Sequence, residues 1–136
     1  MDAIVYQENL EGIDWNALKT TLVADDFDNG RTPEQLRRSF ANSYAVCFAI
    51  AGGKVVGKAR ALSDGVCNAY IVDVWTHTPY RRQGVATTIM RRLLARLPGQ
   101  HVYLFTDEAG EFYLKLGFKQ HGMGMGLVVG KWLANE

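Results

Sequence analysis

The chain has 136 residues, of which 48% are hydrophobic and 21% are charged, and a formal net charge of +1. This composition predicts one soluble globular domain over residues 1–136 with a core of its own. The near-neutral charge argues against general binding to nucleic acid or to a membrane surface. No segment is long and apolar enough to span a bilayer and no signal-peptide pattern opens the chain, so we expect a cytoplasmic protein.

Short strands and capped helices alternate in the first half of the chain. An apolar strand at residues 3–6 precedes a helix that Asp14 can cap. Thr32-Pro33-Glu34-Gln35 has the pattern of a capping box and predicts the start of a second helix. The apolar run at residues 44–62 predicts a β-hairpin that turns at Gly52-Gly53.

The centre of the chain is predicted to be a strand, a basic turn and an amphipathic helix. Residues 70–75 form an apolar run that only Asp73 interrupts, as in a strand buried on both faces. From Val85 to Leu97 apolar side chains recur every three or four residues, which predicts a helix that Pro98-Gly99 ends. A carboxylate in such a strand is costly without a partner or a task, so Asp73 is a candidate functional residue.

The turn between that strand and helix has the features of an anion site. The start of a helix leaves backbone N–H groups without partners, and its dipole favours a negative charge. Gly84 and Ala86 leave room for a phosphate to approach the backbone, and Arg81 and Arg82 add cationic donors. A helix that merely happens to begin in basic residues explains the same pattern.

The remaining segments continue the mixed α/β order. Residues 101–106 predict a further strand, and residues 109–116 a short helix that Gly117 ends. Strands are also expected at 118–120 and, after a glycine-rich stretch, at 127–132.

Two motifs in these segments resemble the GNAT superfamily of acetyl-CoA-dependent N-acetyltransferases. The family signature R/Q-x-x-G-x-G/A is matched by Arg81, Gly84 and Ala86. The motif A-x-x-F-Y-x-x-x-G-F is matched by Ala109, Phe112, Tyr113, Gly117 and Phe118. More narrowly, KARALSDGVCNAYIVDV is similar to plastid and bacterial arylalkylamine-type N-acetyltransferases.

The resemblance implies a fold and a way of binding the cosubstrate. The fold is α+β (mixed α/β): a central, mostly antiparallel sheet of about six to seven strands with a splayed parallel pair, and about four helices. Backbone groups of Val74 and Thr76 would pair with the pantetheine arm of acetyl-CoA. The pyrophosphate would lie against the backbone amides at the helix start, which belong to Arg82, Gln83, Gly84, Val85, Ala86 and Thr87.

The resemblance also implies catalytic roles for two side chains. Tyr113 stands where the family keeps the general acid that returns a proton to the CoA thiolate. Asp73 is the leading candidate to accept the proton of the amine, or else to anchor the amine by its charge while water takes the proton. His77, at the end of the same strand, is a second candidate for the base.

The first hypothesis is therefore an enzyme that transfers acetyl directly from acetyl-CoA to a primary amine. The acceptor is expected to be a small arylalkylamine-like molecule, in a pocket that aromatic residues could line: Trp15, Phe27, Phe40, Tyr44 and Trp75. The alternatives are a non-catalytic acetyl-CoA-binding module and an acetyltransferase for protein amines. The resemblance implies a possible homodimer, and neither a phosphate-loop motif nor histidines at metal-ligand spacing are present.

Overall fold

The computed structural model describes residues 2–133, and the chain divides into two compact units between Tyr103 and Leu104. The first unit holds a mixed β-sheet with three α-helices, and the second holds one short helix. The single domain expected from the sequence remains a prediction.

The first unit is built on a five-stranded sheet whose strand order follows the chain order. The strands are β1 (Ile4–Gln7), β2 (Ala45–Ala51), β3 (Lys54–Ser63), β4 (Asn68–Thr76) and β5 (His101–Tyr103). Neighbouring strands are antiparallel except for β4 and β5, which are parallel. The α+β class and the parallel pair predicted from the sequence are therefore confirmed.

The helices begin where their capping residues predict. They are α1 (Trp15–Ala24), α2 (Pro33–Ala41) and α3 (Val85–Leu94) in the first unit and α4 (Gly110–Lys115) in the second. The side chain of Asp14 accepts a hydrogen bond from the amide of Ala17 at 3.0 Å. Thr32 and Gln35 form the predicted capping box by exchanging bonds of 2.9 and 3.1 Å. A 3₁₀ turn, Thr78–Tyr80, lies between β4 and α3.

The helices of the first unit cover opposite faces of the sheet. Gly57 faces α3, because a Cβ atom there would meet Val85 and Ile89. The next residue, Lys58, points to the other face, where it lies over the ring of Phe40 from α2. The core on that second face consists of Leu18, Leu22, Leu36, Phe40, Val46, Phe48 and Trp75.

Some predicted elements are shorter than expected or are absent. The described residues form five strands rather than six to seven, since neither 118–120 nor 127–132 is a strand. The parallel strand spans three residues instead of 101–106, and α3 ends at Leu94 rather than Leu97. An apolar, β-branched run becomes a strand only when a neighbouring edge is available to it, and sequence does not show that edge.

None of the helices in residues 2–133 is long and apolar enough to cross a membrane.

Gly57 is required by the close packing of α3 on β3. A Cβ there would lie 2.8 Å from Cγ1 of Val85 and 3.1 Å from Cδ1 of Ile89. We expect Gly57→Ala to lower the free energy of unfolding in urea by about 1–3 kcal/mol through overpacking. The control is Gly126→Ala, whose Cβ would meet no atom within 4 Å. Equal stability of the two variants would contradict this account of the packing.

Candidate active site

The candidate site lies at the edge of β4 that β5 leaves open. β5 pairs with β4 only from Asn68 to Tyr70, whereas β4 continues to Thr76. The parallel pairing therefore covers only the first three residues of β4, and the splay that the family resemblance implies stays a prediction. Beyond Tyr70 no strand of the first unit pairs with this edge of β4.

The backbone of Thr76 faces this open edge. On the other edge, the amide of His77 donates to the carbonyl of Val56 on β3 at 2.8 Å. Alternate residues of a strand direct their backbone groups to opposite edges, so Thr76 and, two residues earlier, Val74 face away from β3. The carbonyl of Thr76 already accepts a bond of 3.1 Å from Nε of Arg81. Thr76 is one of the two residues predicted to pair with pantetheine, and its carbonyl thus already accepts a hydrogen bond within the chain.

A β-bulge interrupts β4 just before these residues. Lys58 pairs with Trp75 and Arg60 pairs with Val72, so two residues of β4, Asp73 and Val74, stand opposite one residue of β3. Asp73 has a φ of 65°. That left-handed conformation is uncommon for a residue with a Cβ, although aspartate adopts it more readily than most.

Three cationic side chains surround the carboxylate of Asp73. Arg31 approaches from the loop between α1 and α2, with Nη2 at 2.6 Å from Oδ1 and Nη1 at 3.2 Å from Oδ2. Arg60 on β3 donates from Nε to Oδ2 at 2.5 Å. Nζ of Lys58 lies 3.4 Å from Oδ1 and also donates to the backbone carbonyl of Asp73 at 3.1 Å. The bulge is therefore held through both the side chain and the backbone carbonyl of Asp73.

This ion cluster shifts the pKa values of two of its members. Burial by itself would raise the pKa of Asp73, but the charge of Lys58 and the bonds from Arg31 and Arg60 lower it well below 3.8. Burial lowers the pKa of Lys58 to about 8, although Asp73 offsets part of that change. Asp73 is thus a weak proton acceptor, and this environment disfavours it as the general base.

Asp25 connects the end of α1 to the end of β4. Its Oδ2 accepts bonds from Nε1 of Trp75 at 2.9 Å and from the amide of Thr78 at 3.2 Å. Nη2 of Arg81 lies 3.8 Å from the same oxygen. Burial opposes ionisation here, but the bonds from Thr78 and Trp75 lower the pKa of Asp25 overall. Asp25 is therefore a structural anchor between α1 and the end of β4.

The turn before α3 has the geometry of an anion site. Gly84, the N-cap residue, has a φ of 81°, and no side chain caps the helix. Arg82 also has a positive φ, of 64°. Residues 81–84 are exposed, whereas Val85 is buried against the sheet. The first N–H groups of α3 are therefore presented to solvent in a loop with two basic side chains.

Tyr113 lies on α4 in the second unit. Its ring packs edge-on against Phe112 and Phe118, at centroid distances of 5.0 and 5.9 Å. Its side chain is buried, which raises the pKa of its phenol above 10. The phenol is therefore protonated at neutral pH, as a general acid must be.

Three of the five aromatic residues predicted for an acceptor pocket lie near Nζ of Lys58, and they differ in exposure. Phe40 and Trp75 belong to the core, with exposed fractions of 1% and 2%. Phe27 packs on Trp75 at 6.5 Å and lies over Nζ of Lys58, yet remains 40% exposed. Phe27 is therefore the aromatic residue beside the ion cluster that an acceptor could contact.

Sequence analysis missed Arg31, Lys58, Arg60 and Asp25 as parts of this site. A signal for two of them exists, because Lys58 and Arg60 alternate with apolar neighbours, a pattern that places both side chains on one face of a strand. Nothing in the sequence showed that Arg31 lies beside Asp73, because 42 positions separate the two residues.

Comparison with known proteins identifies the family. The sequence model of the acetyltransferase (GNAT) family matches residues 13–118. The chain therefore belongs to the acetyltransferase (GNAT) family, as its two motifs predicted.

Individual relatives agree with that assignment. A chloroplastic serotonin N-acetyltransferase 2 of rice is 32% identical over 79% of this chain. A histone acetyltransferase of soybean, TAP1, is 34% identical over 53% of it. The chain spans 57% of the rice protein and 33% of the soybean protein. A crystal structure of a proposed acetyltransferase from Deinococcus radiodurans R1 superimposes with a TM-score of 0.81 and 31% identity, covering 92% of this chain and 87% of that one.

The ion cluster predicts how stability depends on acidity. The folded pKa of Asp73 lies below its value of 3.8 in a free chain, so the unfolded state binds the proton first as the pH falls. The stabilisation by Asp73 is thus present above about pH 4 and is lost below it. We expect Asp73→Asn to cost about 3 kcal/mol at neutral pH, and this deficit to shrink as the pH falls towards 3.

The measurement is urea unfolding of both proteins between pH 3 and pH 7. Glu34→Gln serves as the control, because Glu34 forms an ion pair with Arg37 at the surface. That variant should change stability little at any pH. A deficit for Asp73→Asn that stayed constant with pH would contradict the low pKa of Asp73.

Proposed function

We propose that this protein transfers the acetyl group of acetyl-CoA directly to the primary amine of a small molecule. The observation that carries the proposal is the edge of β4 beyond Tyr70, which no strand of the first unit covers and which is followed in the chain by an uncapped helix start with basic residues. An extended thioester arm can pair with such a strand edge, and a pyrophosphate can bind at such a helix start. Acetyl-CoA would supply an activated acyl group, since a thiolate is a good leaving group.

The turn before α3 fits a pyrophosphate in charge and in backbone conformation. Positive φ angles at Arg82 and Gly84 turn the backbone sharply just before the helix, and no side chain occupies the N-cap position. Backbone amides of Arg82, Gln83, Gly84, Val85, Ala86 and Thr87 are proposed to bind the phosphate oxygens. Arg81 has a second task, because it joins the carbonyl of Thr76 to Asp25.

The backbone of β4 is proposed to bind the acyl end of the cosubstrate. Val74 and Thr76 face the open edge, where an N–H group can donate to the thioester oxygen as negative charge develops on it. The amine nitrogen attacks the acyl carbon, the carbon–sulfur bond breaks, and Tyr113 gives its phenolic proton to the departing sulfur. The support for Tyr113 is its place in the second motif and its protonated state.

The proton of the amine needs a different acceptor from Asp73. The three cations hold Asp73 ionised and buried, so we assign that carboxylate to charge and position rather than to proton transfer. His77 is stacked between Trp75 and Tyr80 at centroid distances of 5.7 and 6.1 Å, at the end of β4. Proton transfer to His77 or to solvent water is proposed, and a pH–rate profile of His77→Gln separates the two.

An arylalkylamine acceptor has support from one relative and one side chain. The rice relative that matches 79% of the chain is named a serotonin N-acetyltransferase. Phe27 offers a partly exposed aromatic ring beside the ion cluster. The soybean relative is named a histone acetyltransferase, so a peptide amine is the alternative that the assay must include.

The test is release of free thiol from acetyl-CoA with a panel of acceptors. The panel contains arylalkylamines, polyamines, amino sugars and lysine peptides. Turnover confined to arylalkylamines would support the proposal, and turnover confined to peptides would transfer it to protein acceptors. Binding of acetyl-CoA without turnover on any amine would favour a non-catalytic binding module.

Tyr113→Phe tests the proposed general acid. The variant keeps the ring that packs on Phe112 and Phe118 but loses the proton donor. We expect kcat to fall on the order of 100-fold while the Kd for acetyl-CoA, measured by calorimetry, stays the same. Tyr6→Phe on β1, at the other edge of the sheet from β5, removes a hydroxyl that belongs to neither motif and is the control. An unchanged kcat would exclude Tyr113 as the acid.

Gly84→Val tests the proposed phosphate site. A β-branched residue is strained at a φ of 81° and crowds the backbone where the pyrophosphate would lie. We expect the Kd for acetyl-CoA to rise on the order of 10-fold. The matched control is Gly99→Val, which carries similar strain at a φ of 74° after the other end of α3. Equal Kd values for the two variants would remove the phosphate from this turn.

A further inference from the structure

The bulge in β4 adopts an unfavourable backbone conformation that its neighbours must maintain. Asp73 has a φ of 65°, in the region that glycine occupies at many such bulges. A left-handed conformation is unfavourable for a residue with a Cβ, although aspartate adopts it more readily than most. The backbone of the next residue, Val74, faces the open edge. Any relaxation of Asp73 would therefore change the direction of the Val74 amide.

One side chain holds both parts of Asp73 at once. Nζ of Lys58 lies 3.1 Å from the backbone carbonyl of Asp73 and 3.4 Å from its Oδ1. The other two cations, Arg31 and Arg60, bind Asp73 through its carboxylate and not through its backbone carbonyl. Lys58 is thus placed to fix the peptide plane between Asp73 and Val74.

Lys58 is held in place by its surroundings. Its side chain has no exposed surface, and Nζ lies 5.0 Å from the ring centre of Phe27, 5.5 Å from Phe40 and 6.0 Å from Trp75. These rings attract a cation and leave its side chain little freedom. The ammonium group consequently has a fixed position relative to β4.

The cluster is a costly way to stabilise a fold. Three cations surround a single carboxylate, and burial lowers the pKa of Lys58 to about 8. Replacement of a buried ion cluster by apolar side chains is often neutral or stabilising, so a gain in stability alone does not account for it. A role in positioning the backbone of β4 does account for it, because an ammonium group has three donors and binds both the carbonyl and the carboxylate of Asp73.

We propose that Lys58 is a positioning residue: by binding the carbonyl and the carboxylate of Asp73, it holds the bulge that directs the Val74 amide towards the thioester. This inference rests on the proposed function, which places the acyl end of acetyl-CoA on the same edge. Lys58 itself touches neither substrate, because it is fully buried. It acts through Asp73.

The experiment compares Lys58→Met with Lys54→Met. Methionine keeps the length and apolar stem of lysine but cannot donate to Asp73. Lys54 is exposed on the same strand, so its variant controls for the loss of a lysine from β3. We expect kcat/KM for acetyl-CoA to fall on the order of 10- to 100-fold in Lys58→Met, with the KM for the amine unchanged.

A readout without turnover accompanies the kinetics. In ¹⁵N-labelled protein the amide signal of Val74 should move in Lys58→Met and stay in place in Lys54→Met. A Lys58→Met protein with unchanged kcat/KM and an unmoved Val74 signal would overturn the inference. A wild-type protein that failed to bind acetyl-CoA would instead overturn the proposed function, while the Val74 signal would still report on the bulge.

A second pair of variants covers the case in which Lys58→Met does not fold. Asparagine tolerates the left-handed conformation and keeps one side-chain oxygen, whereas alanine does neither. We expect Asp73→Asn to retain at least 10-fold more kcat/KM than Asp73→Ala. Equal losses in the two variants would show that the bulge conformation does not matter to the reaction.

Discussion

The structure of the first unit depends on the interaction of the Asp73 carboxylate with three buried or half-buried cations. This one side chain of β4 is joined to the loop after α1 through Arg31, and to β3 through Lys58 and Arg60. The loop itself is closed by Lys19, which binds Asp28 and the carbonyl of Arg31. Loss of the carboxylate would leave three like charges close together, so the loop, the strands and the bulge stabilise one another through Asp73.

A second set of contacts connects the same loop to the anion site. Asp25 binds Trp75 and Thr78, and Arg81 extends from the turn before α3 back to the end of β4. The loop after α1 and the proposed phosphate turn are therefore joined through the last residues of β4. These contacts hold the last residues of β4 in place, although no strand of the first unit pairs with one edge of them. It also explains why Arg81, a residue of the phosphate motif, is engaged in structural bonds.

Much of the fold followed from local rules. Asp14 and Thr32 were predicted as helix caps, and both form the expected bonds. The hairpin at Gly52-Gly53 and the helix that begins at Val85 were also predicted correctly. The strand expected at 127–132 was wrong, because a short apolar, β-branched run shows only that a segment could pair. Whether a partner edge exists is decided by the rest of the chain.

By itself, the sequence determined the family, the order of the main elements and the residues of the two motifs. These features depend on spacing along the chain, which the sequence contains in full. Only the tertiary structure decided the state of Asp73, because Arg31, Lys58 and Arg60 come from positions 13 to 42 residues away. A lone carboxylate in an apolar strand suggested a base, whereas three converging cations make it a weak one. The pKa of a carboxylate depends on the charges near it in space, and only the fold brings these three cations to Asp73.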